Sequence, residues 1–164
     1  MDEVCPGCSA CLPAIDGPVH KYMTSSAACF AAFNEILAAE YSSALLMRDH
    51  SLTVDAYAAQ HPGDPSERRC VQSVSLHLAR LYMALERNAR PQDLNAIMLR
   101  FSKSKTSLRA LTAPPKFQIT ASDVAPFAGT PHHVSKTRDW ALATWQDWSD
   151  HHDYIARWAD AHAA

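Results

Sequence analysis

Apolar residues recur at helical spacing through most of the chain. Cys29, Phe33, Ile36 and Glu40 share one face of a helix predicted over about 26–41, with Phe30 and Leu37 beside them. A second helix, about 43–60, carries His50, Val54, Tyr57 and His61 along one stripe. The corner HPGDPSE then stops it. Pro62 and Gly63 end the helix, Asp64 is the expected cap of the next, Pro65 takes its first position and Glu67 completes a variant capping box. The third helix, about 65–89, buries Val71, Val74, Leu78, Leu81 and Leu85, with His77 at the edge of that stripe. So short a connection predicts antiparallel packing of helices two and three.

A fourth helix starts at Pro91 and turns Leu94, Ile97, Met98 and Phe101 inward, and SKSKTS frays into a linker. Pro114 and Pro115 forbid helix in APPKFQI, while FQIT suits either a short strand or a loop. Thr120 and Asp123 form a capping-box pair for a short helix before Pro126. The last helix is expected to run unbroken from Pro131 to about Ala161, with Thr130 as its cap. Trp145, Trp148, His152, Ile155 and Ala159 make one stripe of it, flanked by Trp140, Thr144, His151 and Trp158. A stripe of this kind reads as core, and an exposed part of it would offer a homodimer face. The fold class is all-α: a bundle of five or six helices forming a single domain over 1–164.

Residues 1–24 break the pattern. Pro6, Gly7, Pro13, Gly17 and Pro18 punctuate a leader with too little apolar periodicity to order itself, so something local must hold it. The leader carries Cys5-x2-Cys8 and His20, and Cys29 opens the first helix behind a Ser25 or Ser26 cap. Eleven residues separate Cys8 from His20 and eight separate His20 from Cys29, and both gaps can loop back to one tetrahedral centre. Three thiolates and an imidazole are a zinc set, so Cys5, Cys8, His20 and Cys29 are the candidate ligands of a structural Zn2+ site, with Cys11 as the alternative to Cys29. A lone CxxC is common, however, and as a redox pair it would make the chain a thiol sensor.

The charge balance is −2 with His neutral, which gives no basic face for nucleic acid. Polar residues interrupt every apolar run before ~18 residues, so no membrane span is expected. The start MDEVCPGC lacks an apolar signal region, and five Cys including a CxxC suit a reducing, cytoplasmic setting. No P-loop, GxGxxG, GxSxG or HExxH occurs, leaving nucleotide, α/β-hydrolase and zincin chemistry without support. An enzyme or small-molecule binder stays open as a second reading. Asp55, His61 and His77, with His151 or His152, would converge in the bundle core as ligands or general bases. Histidines on apolar faces are more often hydrogen-bonded core residues. One helix cannot supply the set, because His50 and His61 lie ~16 Å apart along it.

Taken together, CPGC, PVHKYMTSSAACF, LTVDAYAAQHPG, SVSLHL and WQDWSDHHDYIARWA resemble an uncharacterised bacterial family. That family is known as a domain of unknown function, with a CPGC knuckle and a TVDAYAxQHPG core. Cys5, Cys8, His20, Cys29, Asp55, Tyr57, Gln60, His61, His77, His151 and His152 fall on its motifs, and Cys11 departs from them. The resemblance implies no activity.

Overall fold

A computed structural model describes residues 1–164, and it is predominantly helical. A two-stranded antiparallel hairpin, β1 (Asp2–Val4) and β2 (Cys11–Pro13), opens the chain, with Val4 opposite Cys11 and Asp2 opposite Pro13. Seven α-helices follow: α1 (Ala27–Tyr41), α2 (His50–Gln60), α3 (Arg68–Leu85), α4 (Leu94–Lys103), α5 (Ala121–Val124), α6 (His133–Asp147) and α7 (His152–His162). No helix is long and apolar enough to cross a membrane.

The organising element is α2. It packs on α3 and α6 and touches α1, and eight of its residues are buried, from Leu52 to Gln60. Ala56, Ala58 and Ala59 let neighbouring helices approach closely, which is why a helix with little apolar asymmetry sits in the middle of the core. Gln60, with no exposed surface, is its polar anchor. Its amide donates to the Ile119 carbonyl (2.7 Å) and to Thr144 Oγ1 (2.9 Å), and its oxygen accepts from the Trp140 indole (3.1 Å). FQIT is therefore not a strand: the chain there is irregular and is tied down by this side chain.

Several boundaries differ from the sequence pattern: the helix expected from Pro91 starts at Leu94 after a 3-10 turn, and the one expected from Pro131 starts at His133 behind His132 instead of Thr130. Asp64 does not cap α3. Its carboxylate accepts from the Ser66 amide and hydroxyl, closing a local turn, and the helix begins three residues later behind Glu67. The segment before α2 is a 3-10 turn, Leu46–Asp49. The expected last helix breaks at Trp148 into α6 and α7, joined by a 3-10 turn over Ser149–His151. At the break, His152 stacks on Trp145 (3.8 Å between centroids) and donates from Nε2 to the Trp145 carbonyl, while the Trp148 indole donates to Ala59 in α2. All four Trp are buried, as the stripe predicts.

Gln60→Leu should destabilise the fold by about 2–4 kcal/mol in urea unfolding, because the Trp140 indole and the Ile119 carbonyl lose their buried partner. A loss under ~0.5 kcal/mol would mean that the amide does not anchor α2.

Candidate metal centre

Cys5, Cys8, Cys29 and His61 meet at one point. Their ligand atoms all lie within 4.8 Å of one another, and all four residues are buried. Three separate pieces of chain supply them. Cys5 and Cys8 flank the CPGC turn between β1 and β2, held by Ser9 N–H donating to the Cys5 carbonyl (2.9 Å) and Cys5 N–H to Ala10 (2.8 Å). Ser9 adopts the left-handed region (φ 64°), which lets the knuckle reverse in so few residues. Cys29 sits in the first turn of α1, where its amide donates to the N-cap Ser26 Oγ (3.2 Å). His61 ends α2.

The separations suit a metal. Cys8 Sγ is 3.6 Å from Cys29 Sγ, and Cys29 Sγ is 3.3 Å from His61 Nε2. Zinc–sulfur bonds of ~2.3 Å and zinc–nitrogen bonds of ~2.0–2.1 Å at tetrahedral angles put such donors roughly 3.5–3.8 Å apart. His61 is also in the right tautomer. Its Nδ1 lies 2.6 Å from the Tyr57 carbonyl, which can only accept, so Nδ1 carries the hydrogen and the Nε2 lone pair faces the sulfurs. The Tyr57 ring stacks on His61 (3.9 Å) and on Phe33 (3.9 Å), fixing the imidazole plane. Tyr57 Oη is buried with no hydrogen-bond partner, close enough to Cys29 and Cys5 for their charge to act on it; a metal-bound thiolate would accept a hydrogen bond from it.

The electrostatics point the same way. Hydrogen bonds from Cys29 and Cys8 hold the Cys5 thiol far below its ordinary range, while contact with Cys5 and Cys8 and burial drive Cys29 far above it. Cys8 is pulled down by Cys29, but hydrogen bonding with Cys5 and burial outweigh that and carry it up to about 12. Three sulfurs packed this closely oppose one another's ionisation, and a cation among them would relieve that. Local amides add to the stabilisation, Ser26 N–H donating to Cys5 Sγ at 3.4 Å.

Two expected ligands lie elsewhere. His20 is outside the cluster: its Nδ1 faces the amides of Tyr22 (3.4 Å) and Met23 (3.3 Å), and its ring packs edge-on to Tyr22 and Phe30. Burial lowers its pKa. His61 supplies the imidazole instead, because Gly7 lets the knuckle press against the end of α2. A Cβ on Gly7 would fall 2.5 Å from His61 Cδ2 and 2.3 Å from the Thr24 carbonyl. Cys11 pairs opposite Val4 in the hairpin and is exposed, away from the other thiols.

Of the other core candidates only Asp55 and His77 meet, and Arg80 shares that contact. Asp55 is fully buried and takes two hydrogen bonds from Arg80 (2.7 Å each) and one from His77 Nδ1 (2.6 Å). His151 bonds to the Thr112 carbonyl and His152 to Trp145. A second polar cluster is not foreshadowed by the sequence pattern. Glu40, fully buried, accepts from His50 Nδ1 (2.6 Å), from Thr53 Oγ1 and, at 3.4 Å, from His133 Nε2. His133 Nδ1 accepts from Gly129 N–H, so its hydrogen is on Nε2 and points at the carboxylate. The one signal for it was an acidic residue on the inward face of α1.

Neither the curated proteins nor the solved structures give a match to the chain. A family model described as "Family of unknown function (DUF5946)" matches residues 3–149, a span that holds all four clustered donors.

Gly7→Ala should cost about 1–3 kcal/mol in thermal or urea unfolding, since backbone on both sides blocks relief of the clash. Unchanged stability would mean that the knuckle and α2 are not pressed together.

Proposed function

We propose that this chain, which belongs to that family of unknown function (DUF5946), holds one zinc ion through Cys5, Cys8, Cys29 and His61, and that the ion's role is structural. The observation that carries the reading is the donor set itself: three buried sulfurs and an imidazole whose Nδ1 donates to the Tyr57 carbonyl and whose Nε2 faces them. Soft thiolates with one imidazole select zinc over hard oxygen-seeking cations. Four protein donors close a tetrahedron, so no position stays open for substrate or water. The ion would instead fasten three separate pieces of chain, the hairpin, the start of α1 and the end of α2. Once bound it supplies charge neutralisation for the three thiolates.

A reducible thiol pair is the competing use of the same cysteines, and the two readings part experimentally. Protein purified without added metal should contain about one zinc per chain. Cys8→Ser and His61→Ala should lose it, whereas His20→Ala and Cys11→Ser should keep it. Chelation should lower the melting temperature by roughly 10 °C or more, the shift that about 4 kcal/mol makes in a domain of this size. Cys5, Cys8 and Cys29 should resist a thiol reagent until chelator is added. Metal-free protein that melts unchanged, with those thiols freely reactive, would overturn the proposal and favour the redox use.

A further inference from the structure

A cleft of about 470 Å³ opens between the 3-10 turn preceding α2, the C-terminal end of α3, the start of α4 and the side of α6. It shares no residue with the cysteine cluster, so its chemistry does not depend on whether that cluster holds zinc. The volume lies in the range of small-molecule sites, and the lining has the two-part character such sites need. Leu52 and Leu94 are buried and give a fixed apolar floor; Leu85 adjoins them, and Leu142 stands at the rim with 43% of its surface exposed.

The polar part of the lining is cationic on balance. Arg48, Arg90 and Arg138 face Asp49 and Asp139, three positive groups against two negative. Asp49, nearly buried, is already committed: Arg138 Nε and Nη2 each reach it at 3.2 Å. That fork orients the Arg138 guanidinium yet leaves its side chain 59% exposed, with Nη1 free to donate. Arg90 is held by Asp93, which does not line the cleft. Arg48 takes part in none of the ion pairs of the structure. A leucine floor beneath an excess of arginine donors matches a ligand with an apolar body and a planar anionic head, the geometry that guanidinium groups pair with best. With Arg90 held by Asp93, only Arg48 and the free edge of Arg138 are left to meet an anion, and Asp139 lies beside them, which favours one negative charge over two.

We infer that this cleft is a binding site for a small amphipathic monoanion, an acyl or aryl carboxylate. Its apolar body would lie on Leu52, Leu85 and Leu94 and its carboxylate would face Arg48 and Arg138.

Sodium octanoate titrated calorimetrically into the purified 164-residue protein at low ionic strength tests this. Saturable one-to-one binding is expected, with octanol and octylamine about tenfold weaker or worse, since neither offers the charge-assisted hydrogen bonds. Arg48→Gln should weaken octanoate about fivefold. Leu142→Trp, at an exposed rim position, should fill the cleft and abolish binding while the melting temperature stays within a degree or two of wild type. The inference is overturned if octanoate shows no saturable binding, if octanol binds as well, or if affinity survives unchanged in either variant.

Discussion

Four donor atoms drawn from three remote parts of the chain meet in a volume no wider than 4.8 Å, and the placement of the N-terminal third depends on that meeting. The leader contributes little apolar surface of its own: Val4, Ile15 and Val19 are exposed, and the hairpin is only three residues deep on each strand. A two-stranded ribbon this short has no independent stability in water. What fixes it is the burial of Cys5 and Cys8 against Cys29 and His61, with Gly7 allowing backbone to touch backbone. Because Cys29 begins α1 and His61 ends α2, the same point also sets the relative position of two core helices. Gly63 does the matching service one residue beyond Pro62. A Cβ there would fall 2.1 Å from the Tyr22 carbonyl and 2.5 Å from Cys70 Sγ, so its absence lets the leader cross the α2–α3 corner.

Behind the cluster, α2 carries three kinds of polar burial along its length. Thr53 and neighbouring His50 serve Glu40, Asp55 serves Arg80 and His77, and Gln60 serves Trp140, Thr144 and the chain at Ile119. Each interaction joins α2 to a different partner, so together they specify rotation and register more sharply than the alanines around them could. Breaking one partner of such a set costs more than the interaction contributes, because the other is left buried and unpaired. Of the histidines expected to converge in the core, His77 is taken up by Asp55 and His151 and His152 by backbone carbonyls, while His61 faces the cysteines.

The helical architecture was legible because its signals are local. Val74, Leu78 and Leu81 on α3, the Thr120–Asp123 capping box and the tryptophan stripe all act within a few turns, and all stand where their spacing puts them. The break at Trp148 was not legible, since the pattern of apolar positions continues across it and only tertiary packing on Ala59 turns the chain. For the metal centre, the three cysteines carried the strong signal. The imidazole that lies with the cysteines is His61 and not the expected His20; in that expectation nearness in sequence stood in for nearness in space. His61 had its own clue: it ends a helix immediately before Pro-Gly, where a side chain can face away from that helix's own core. The CPGC glycine, which has to lie against something, is the other half of that clue. Neither names its partner without the fold.

X-ray absorption at the zinc edge of the purified chain addresses the central claim most directly, because it counts donor types around the ion without relying on any variant. A shell of three sulfurs at ~2.3 Å and one imidazole nitrogen at ~2.0–2.1 Å, with no added oxygen, is the result required by Cys5, Cys8, Cys29 and His61. Two sulfurs with water or carboxylate oxygens, or no zinc edge at all, would contradict it.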